Sequence, residues 1–102
     1  MLNDERLLRL VVEACVEEYP RLLADLRDAI SKQDSPAVCR AAHAIKGSIR
    51  TFGATRAFDL AYQLETMGKA GDLSRAAEVL RAAEQEFERL LAALREYLGG
   101  RE

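Results

Sequence analysis

Apolar residues recur every three or four positions along almost the whole chain, and no stretch alternates apolar and polar residues with a period of two. The first spacing is that of one face of an α-helix, whereas the second would indicate a β-strand. The pattern therefore predicts an all-α protein, and five helical stretches account for it.

The first two predicted helices meet at Pro20. Asn3 or Asp4 can cap the first helix, which extends to about Tyr19. Proline donates no backbone hydrogen bond and disfavours helical geometry in the residue before it, so we expect a break or kink at this point. The second helix spans 20–32. The apolar sides of the two helices comprise Leu7, Leu8, Val11, Val12 and Cys15 in the first, and Leu22, Leu23, Leu26, Ala29 and Ile30 in the second.

The third predicted helix begins with a strong start signal. Ser35 can cap a helix with its hydroxyl group, and Pro36 fits the first helical position because that position needs no backbone N–H. The helix extends to about Phe52, and Gly53 ends it. Its core-facing residues are Val38, Ala41 or Ala42, Ile45, Ile49 and Phe52.

The fourth and fifth predicted helices are separated by a glycine and an aspartate. The fourth helix spans 54–70 and stops at Gly71, a residue type that is common just after helix ends. Asp72 can cap the fifth helix, over 73–98, and residues 99–102 are expected to form a flexible tail. The inward-facing residues are Ala57, Phe58, Leu60, Ala61, Leu64 and Met67 in the fourth helix, and Leu73, Ala76, Ala77, Leu80, Ala83, Phe87, Leu90, Leu91, Leu94 and Leu98 in the fifth.

Short connections place consecutive helices antiparallel, which predicts an up-down arrangement of the last four helices. The predicted fold is therefore an antiparallel up-down four-helix bundle, with an additional N-terminal helix packed across one end or side. A chain of 102 residues is sufficient for one core, so residues 1–102 are expected to form a single domain.

Composition and charge argue against several classes of protein. The net charge is −2 and no basic stripe is present, so nucleic-acid binding is not expected. No apolar run approaches the roughly 20 residues of a membrane span, and no signal peptide is visible. Cys15 and Cys39 do not suggest a disulfide framework. These features predict a monomeric cytoplasmic domain that contacts neither nucleic acid nor membrane.

His43 is the only histidine of the chain, and it lies in the third predicted helix. Lys46, Gly47 and Arg50 follow at helical spacing on the same stripe, offset from the core-facing residues. A glycine inside a helix costs about 1 kcal/mol relative to alanine, which suggests that another molecule must approach the helix closely here. A lone helical histidine is ordinarily a boundary residue without chemistry, but the accompanying lysine and glycine favour a functional interpretation.

The motif His-x-x-Lys-Gly-Ser that starts at His43, with Gly53 ten residues after the histidine, resembles the histidine-containing phosphotransfer (HPt) domains of multistep phosphorelays. The resemblance extends over about 7–98. It implies a phosphohistidine at His43 that exchanges its phosphoryl group with aspartates of response-regulator receiver domains. Such a carrier either stands alone or is tethered to a hybrid sensor histidine kinase. The sequence contains no Gly-rich nucleotide loop, so no autonomous kinase activity is expected.

The motif suggests a role for each residue around His43. Phosphoryl transfer depends mainly on positioning and on stabilisation of oxygen charge, and Lys46 can supply a cation to those oxygens. Gly47 would leave the surface flat for the docking receiver. The resemblance also implies that Glu65, 22 positions after the histidine, accepts the N–H of the non-phosphorylated imidazole nitrogen and so holds one tautomer, with Lys69 as a basic residue one turn later. An ordinary exposed ion pair between Glu65 and Lys69 is the alternative.

Arg50 departs from the family pattern, in which a small residue is frequent at this position. It either contributes to docking and partner choice or lies in solvent. No cofactor is expected in this chain, because the divalent metal ion and the acceptor aspartate would belong to the receiver. Cys39 and His43 lie one turn apart, but zinc needs three or four ligands, so no metal site is expected. Ser48 is expected to pack against a neighbouring helix.

Two other functions remain open at this point. One is the phosphotransfer domain of a chemotaxis-type histidine kinase, because the segment Thr51-Phe52-Gly53 is similar to that group. Its phosphoryl donor would be ATP bound to a separate catalytic domain. The other is a non-catalytic helical interaction module, whose expected signature would be the loss of His43 or Lys46.

Overall fold

The computed structural model describes residues 3–99, which form four α-helices and one short 3-10 helix. The helices are α1 (Asn3–Ser31), α2 (Ser35–Ile49), α3 (Thr55–Ala70) and α4 (Ala76–Gly99), with the 3-10 turn Arg50–Phe52 after α2. Both α1 and α3 pack against α2 and α4, in a bundle of 46 × 22 × 21 Å. The predicted all-α class and the antiparallel four-helix bundle are confirmed.

The additional N-terminal helix is not a separate element, so the prediction of two helices that meet at Pro20 was wrong. The helix α1 is continuous through Pro20. Proline removes one backbone hydrogen bond from a helix. Here Tyr19, Leu22 and Leu23 are all buried beside it, so packing against the bundle stabilises the helix on both sides of the proline. Tertiary packing has outweighed the local preference of this residue.

The N-terminal turns of α1 are less buried than the sequence pattern predicted. Val12 and Cys15 lie in the core, but the side chain of Leu7 is 59% exposed and Leu8 is exposed as well. The guanidinium group of Arg9 donates a hydrogen bond to the carbonyl of Leu98, at 3.3 Å. The end of α4 therefore lies beside Arg9, whereas residues 4–8 of α1 are exposed.

Two aspartates act differently from the sequence prediction. The cap of α2 is Asp34 and not Ser35, because the Asp34 carboxylate accepts the backbone N–H of Ala37, at 3.2 Å. Asp72 accepts hydrogen bonds from the backbone and hydroxyl of Ser74, at 3.1 and 2.8 Å. These bonds stabilise a turn, and α4 begins only at Ala76.

Glycines end two of the helices as predicted. Gly53 and Gly71 have positive φ angles of 66° and 72°, which glycine adopts without the steric cost of a Cβ atom. Gly99 still belongs to α4, so the predicted flexible tail does not begin there. The other residues of that tail, 100–102, lie outside the described residues.

The core lies along the axis of the bundle and leaves one edge of α2 free. The largest fully buried side chains come from all four helices: Phe87, Leu26, Ile45, Leu64, Leu91 and Val38. Burial of Val38, Ala42, Ile45 and Ile49 fixes the rotation of α2 about its axis. The neighbouring stripe, with His43, therefore lies at the edge between α2 and α3.

Candidate functional site

His43 lies on the exposed edge of α2, next to the fully buried Ala42. Its side chain is 64% exposed, and one ring nitrogen contacts α3. That nitrogen, Nδ1, is 3.0 Å from Oε2 of Glu65. The imidazole is therefore anchored on one edge and open to solvent on the other.

Glu65 is the one charged residue that is buried in the described part of the chain, with an exposed fraction of 6%. Its second oxygen, Oε1, lies 2.8 Å from the ammonium nitrogen of Lys46. The contact with Lys46 lowers the pKa of the Glu65 carboxyl group, and the hydrogen bond with His43 lowers it further, against the opposing effect of burial. Glu65 is therefore ionised at neutral pH.

The charge on Glu65 determines which nitrogen of His43 carries the hydrogen atom. An ionised carboxylate can only accept hydrogen bonds, so Nδ1 of the neutral imidazole must be the donor. The other nitrogen, Nε2, then keeps its lone pair. Glu65 therefore sets the tautomer of the imidazole ring, and the exposed nitrogen Nε2 is nucleophilic in that tautomer.

Lys46 does not extend into solvent from its position one turn after His43. Its side chain is only 13% exposed, and its ammonium nitrogen contacts Glu65 from across the helix interface. The ring centroids of Tyr62 and Phe58 lie 4.9 and 5.7 Å from the same nitrogen. A carboxylate and two aromatic rings thus surround this cation, an arrangement that cation–π attraction favours.

Gly47 is exposed, and no contact within the described structure requires a glycine at this position. A Cβ atom built at this position would meet nothing within 4 Å. The backbone is helical and does not need the conformational freedom of glycine. The chain therefore keeps an open surface immediately beside His43.

Gly68, which sequence reasoning had not singled out, determines how closely α2 and α3 approach. A Cβ atom here would lie 2.5 Å from the backbone nitrogen of Cys39 and 2.8 Å from the carbonyl oxygen of Ser35. The two helix backbones are in direct contact at this crossing, which only glycine permits. Since Gly68 lies one turn after Glu65, the crossing holds that carboxylate against α2. The sequence feature that could have indicated this close approach is a glycine inside a helical pattern.

The other predicted site residues lie on the surface. Glu65 contacts His43 as the resemblance implied, so the alternative of an ordinary ion pair between Glu65 and Lys69 does not hold, and Lys69 itself is exposed. Arg50 is exposed at the first residue of the 3-10 turn, and no other described residue pairs with its side chain. Ser48 packs against α1 as expected, and its hydroxyl group donates to Sγ of Cys15 at 3.4 Å.

Residues 3–99 contain neither a cluster of potential metal ligands nor a helix that could span a membrane. In that range no three His, Cys, Asp or Glu side chains are grouped so that they could hold a metal ion. None of the helices there combines the length and apolar character needed to cross a bilayer.

Comparisons with known proteins reveal two similarities. A sequence model of the Hpt domain family matches residues 10–97. The crystal structure of histidine-containing phosphotransfer protein B from Pseudomonas aeruginosa PAO1 matches with a TM-score of 0.85, over 94% of this chain and 85% of that chain. The sequences are 23% identical, so this second likeness concerns the fold alone. None of the curated proteins compared with the chain matches its sequence.

Proposed function

Since the chain belongs to the Hpt domain family, the histidine phosphotransfer modules of phosphorelays, we propose that His43 accepts a phosphoryl group from a receiver-domain aspartate and passes it to another receiver. One observation carries this proposal. The exposed imidazole of His43 is held at Nδ1 by a buried carboxylate, which leaves Nε2 free to attack.

The proposed transfer needs little chemistry from the protein itself. Nε2 of His43 attacks the phosphorus atom in line, and the N–P bond forms as the P–O bond to the aspartate breaks. The electron pair of that bond leaves with the aspartate carboxylate. No proton has to move, because Nδ1 already carries one. The positive charge that develops on the imidazole ring faces the ionised Glu65. Transfer to the next receiver is the same step in reverse.

We propose that the receiver supplies the divalent metal ion for this reaction. Aspartate oxygens of the kind that accept the phosphoryl group are also the ligands that such ions prefer. The chain itself would bring the nucleophile and its orientation, without cofactor or nucleotide. It would therefore act as a carrier and not as a kinase.

We further propose that the domain is monomeric and functions in the cytoplasm, either alone or tethered to a hybrid sensor histidine kinase. Both of its cysteines are free thiols, a state that a reducing compartment maintains.

A transfer assay with two kinds of donor tests the proposed function. The purified chain is mixed with a panel of phosphorylated receivers, and separately with ATP and the catalytic domain of a chemotaxis-type kinase. We expect rapid labelling by at least one receiver, with the acid-labile, base-stable behaviour of phosphohistidine. Labelling by the ATP-bound domain alone would support the chemotaxis-type alternative. No labelling from either donor would indicate that the chain is a non-catalytic helical interaction module.

Gly47→Leu is expected to slow transfer from the receiver at least about tenfold, because a bulky side chain would stand where the receiver must approach His43. The fold should be retained, since a Cβ atom here meets no atom within 4 Å. The rate of phosphoryl loss from the labelled receiver measures the effect. Gly47→Ala is the matched control with a small side chain. If the transfer rate of Gly47→Leu is within about threefold of wild type, the receiver does not need close approach at Gly47.

Arg50→Ala is expected to weaken receiver binding while leaving the transfer rate at saturation nearly unchanged. An exposed arginine that pairs with no side chain among residues 3–99 can attract acidic groups of a docking protein, and this attraction is screened by salt. Binding is therefore measured at low and high salt. Arg81→Ala, an equal change of charge on the diagonally opposite helix α4, is the control. Unchanged binding with slower saturated transfer would instead place Arg50 in the phosphate site.

A further inference from the structure

The neighbours of His43 on the surface of α2 divide into two pairs. The adjoining positions of a helix are those three and four residues away. Cys39 and Lys46 face α3, because the backbone of Cys39 lies at the helix crossing and the ammonium group of Lys46 contacts the buried carboxylate at 2.8 Å. Arg40 and Gly47 are exposed on the other side of His43, away from α3. Since Gly47 has no side chain, Arg40 is the neighbour on that side that can reach the imidazole.

The imidazole of His43 is directed toward the turn that contains Arg40. Side chains of a helix lean toward its N-terminus, so the ring of His43 lies over the preceding turn. Its Nδ1 atom faces Glu65 on α3, at 3.0 Å, and Nε2 is therefore on the edge of the ring that faces away from α3. A phosphoryl group on Nε2 would stand on the side where Arg40 lies.

The guanidinium group of Arg40 forms no ion pair with any side chain among residues 3–99. Its own helix, α2, contains no aspartate or glutamate. Arg40 lines the groove between α1 and α2, and two aspartates of α1 line the same groove. Each of these aspartates has a cation of its own, because Asp25 contacts Arg21 at 3.5 Å and Asp28 contacts Lys32 at 3.2 Å. Arg40 is therefore available to bind an anion.

We propose that Arg40 binds the oxygen atoms of the phosphoryl group on His43 in the phosphorylated domain. This inference rests on the proposed function and deepens it, since it names the side chain that holds the transferred group. Residues three apart on a helix have Cβ atoms only about 5–6 Å apart, a gap that an arginine side chain spans. Its planar guanidinium group presents several N–H donors, which match the oxygens of a phosphoryl group. The contact needs no receiver and forms in the free domain.

A contact of this kind acts on the equilibrium of phosphoryl transfer. It stabilises the phosphorylated domain and has no counterpart in the unphosphorylated one. The ratio in which the phosphoryl group is shared between His43 and a receiver aspartate is therefore shifted toward His43. A residue that only assists docking would change the forward and reverse rates by the same factor and leave this ratio unchanged.

NMR of the chain labelled with phosphoramidate tests the contact without any receiver. Nε2 of His43 attacks the phosphorus atom of this donor, the P–N bond of the donor breaks, and its electron pair leaves with ammonia. The ¹⁵N signals of the arginine side chains are then recorded, and the Arg40 signal is identified by its absence from Arg40→Gln. We expect the Nε–H signal of Arg40 to shift on phosphorylation and its exchange with water to slow. Arg81, exposed on α4, should keep its signal unchanged.

A second experiment measures the ratio of phosphohistidine to phosphoaspartate at equilibrium with a receiver, with both proteins well below the Kd of their complex. Arg40→Gln is expected to lower this ratio about two- to fivefold, the effect of one exposed ion pair. Arg40→Lys keeps the charge and should recover part of the ratio. Arg81→Gln removes one positive charge from α4 and is the matched control. Both arginines are exposed, so the variants should keep the wild-type fold, which circular dichroism checks.

The two experiments separate Arg40 from the other cation near His43. An Arg40 signal that does not respond to phosphorylation, or equal changes of the forward and reverse rates in Arg40→Gln, would overturn the inference. A response of the Lys46 ammonium signal alone would give the role to Lys46. Should phosphoramidate fail to label the chain, the equilibrium ratio decides. A chain that shows the Arg40 contact but exchanges with no receiver would contradict the proposed function and leave this inference intact. Acceptance from neither donor would overturn both.

Discussion

His43→Gln is expected to fold like the wild-type chain and to gain no phosphoryl group from any receiver. The amide nitrogen of glutamine is not nucleophilic, so the N–P bond cannot form. The loss should be on the order of a thousandfold or more, as expected when a covalent nucleophile is removed. Stability should change little, since the replaced side chain is 64% exposed and an amide N–H can still donate to Glu65. Labelling with a radioactive phosphorylated receiver and thermal unfolding measure the two effects.

The chemistry of the label serves as the control for this experiment. Phosphohistidine is labile in acid and stable in base, whereas an acyl phosphate is lost in base. His43→Gln contains no histidine, so any base-stable, acid-labile label that it acquired would contradict the assignment. Glu65→Gln should still be labelled, but more slowly, because it keeps the nucleophile and loses the carboxylate charge.

Local rules predicted where most helices end but not how far α1 continues. Gly53 and Gly71 end helices because their backbones adopt positive φ angles, a preference that the sequence itself carries. Pro20 carries a local preference as well, yet α1 passes through it. The buried leucines around it belong to a core assembled from distant segments, and periodicity alone does not give the strength of that packing.

The family resemblance predicted the contact between His43 and Glu65, which joins two helices, but not the contact between Glu65 and Lys46. The partial exposure of His43 follows from the core stripe of α2. The partner of Glu65 does not follow from spacing, because Lys69 lies one turn away in sequence while Lys46 lies on another helix. Burial decides between them: the carboxylate is turned into the α2–α3 interface, where Lys46 reaches it at 2.8 Å. That interface depends on Gly68, whose contact with α2 no sequence spacing indicates.

Gly68→Ala is expected to destabilise the folded chain by about 2–3 kcal/mol, although alanine is the better helix former by about 1 kcal/mol. The new Cβ atom would lie 2.5 Å from the nitrogen and 2.9 Å from the Cα of Cys39, which are backbone atoms and not flexible side-chain ends. The clash can be relieved only if α2 and α3 move apart. Urea unfolding monitored by circular dichroism measures the change in free energy.

Gly47→Ala is the matched control, because it places the same methyl group on a helix at a position with nothing within 4 Å. It should stabilise the fold by up to about 1 kcal/mol, so the two substitutions should shift the urea midpoint in opposite directions. Equal shifts would mean that α2 and α3 are not in backbone contact. A separation of the helices would also lengthen the contact between His43 and Glu65. Gly68→Ala that still folds should therefore transfer phosphoryl groups more slowly than Gly47→Ala, even at saturating receiver.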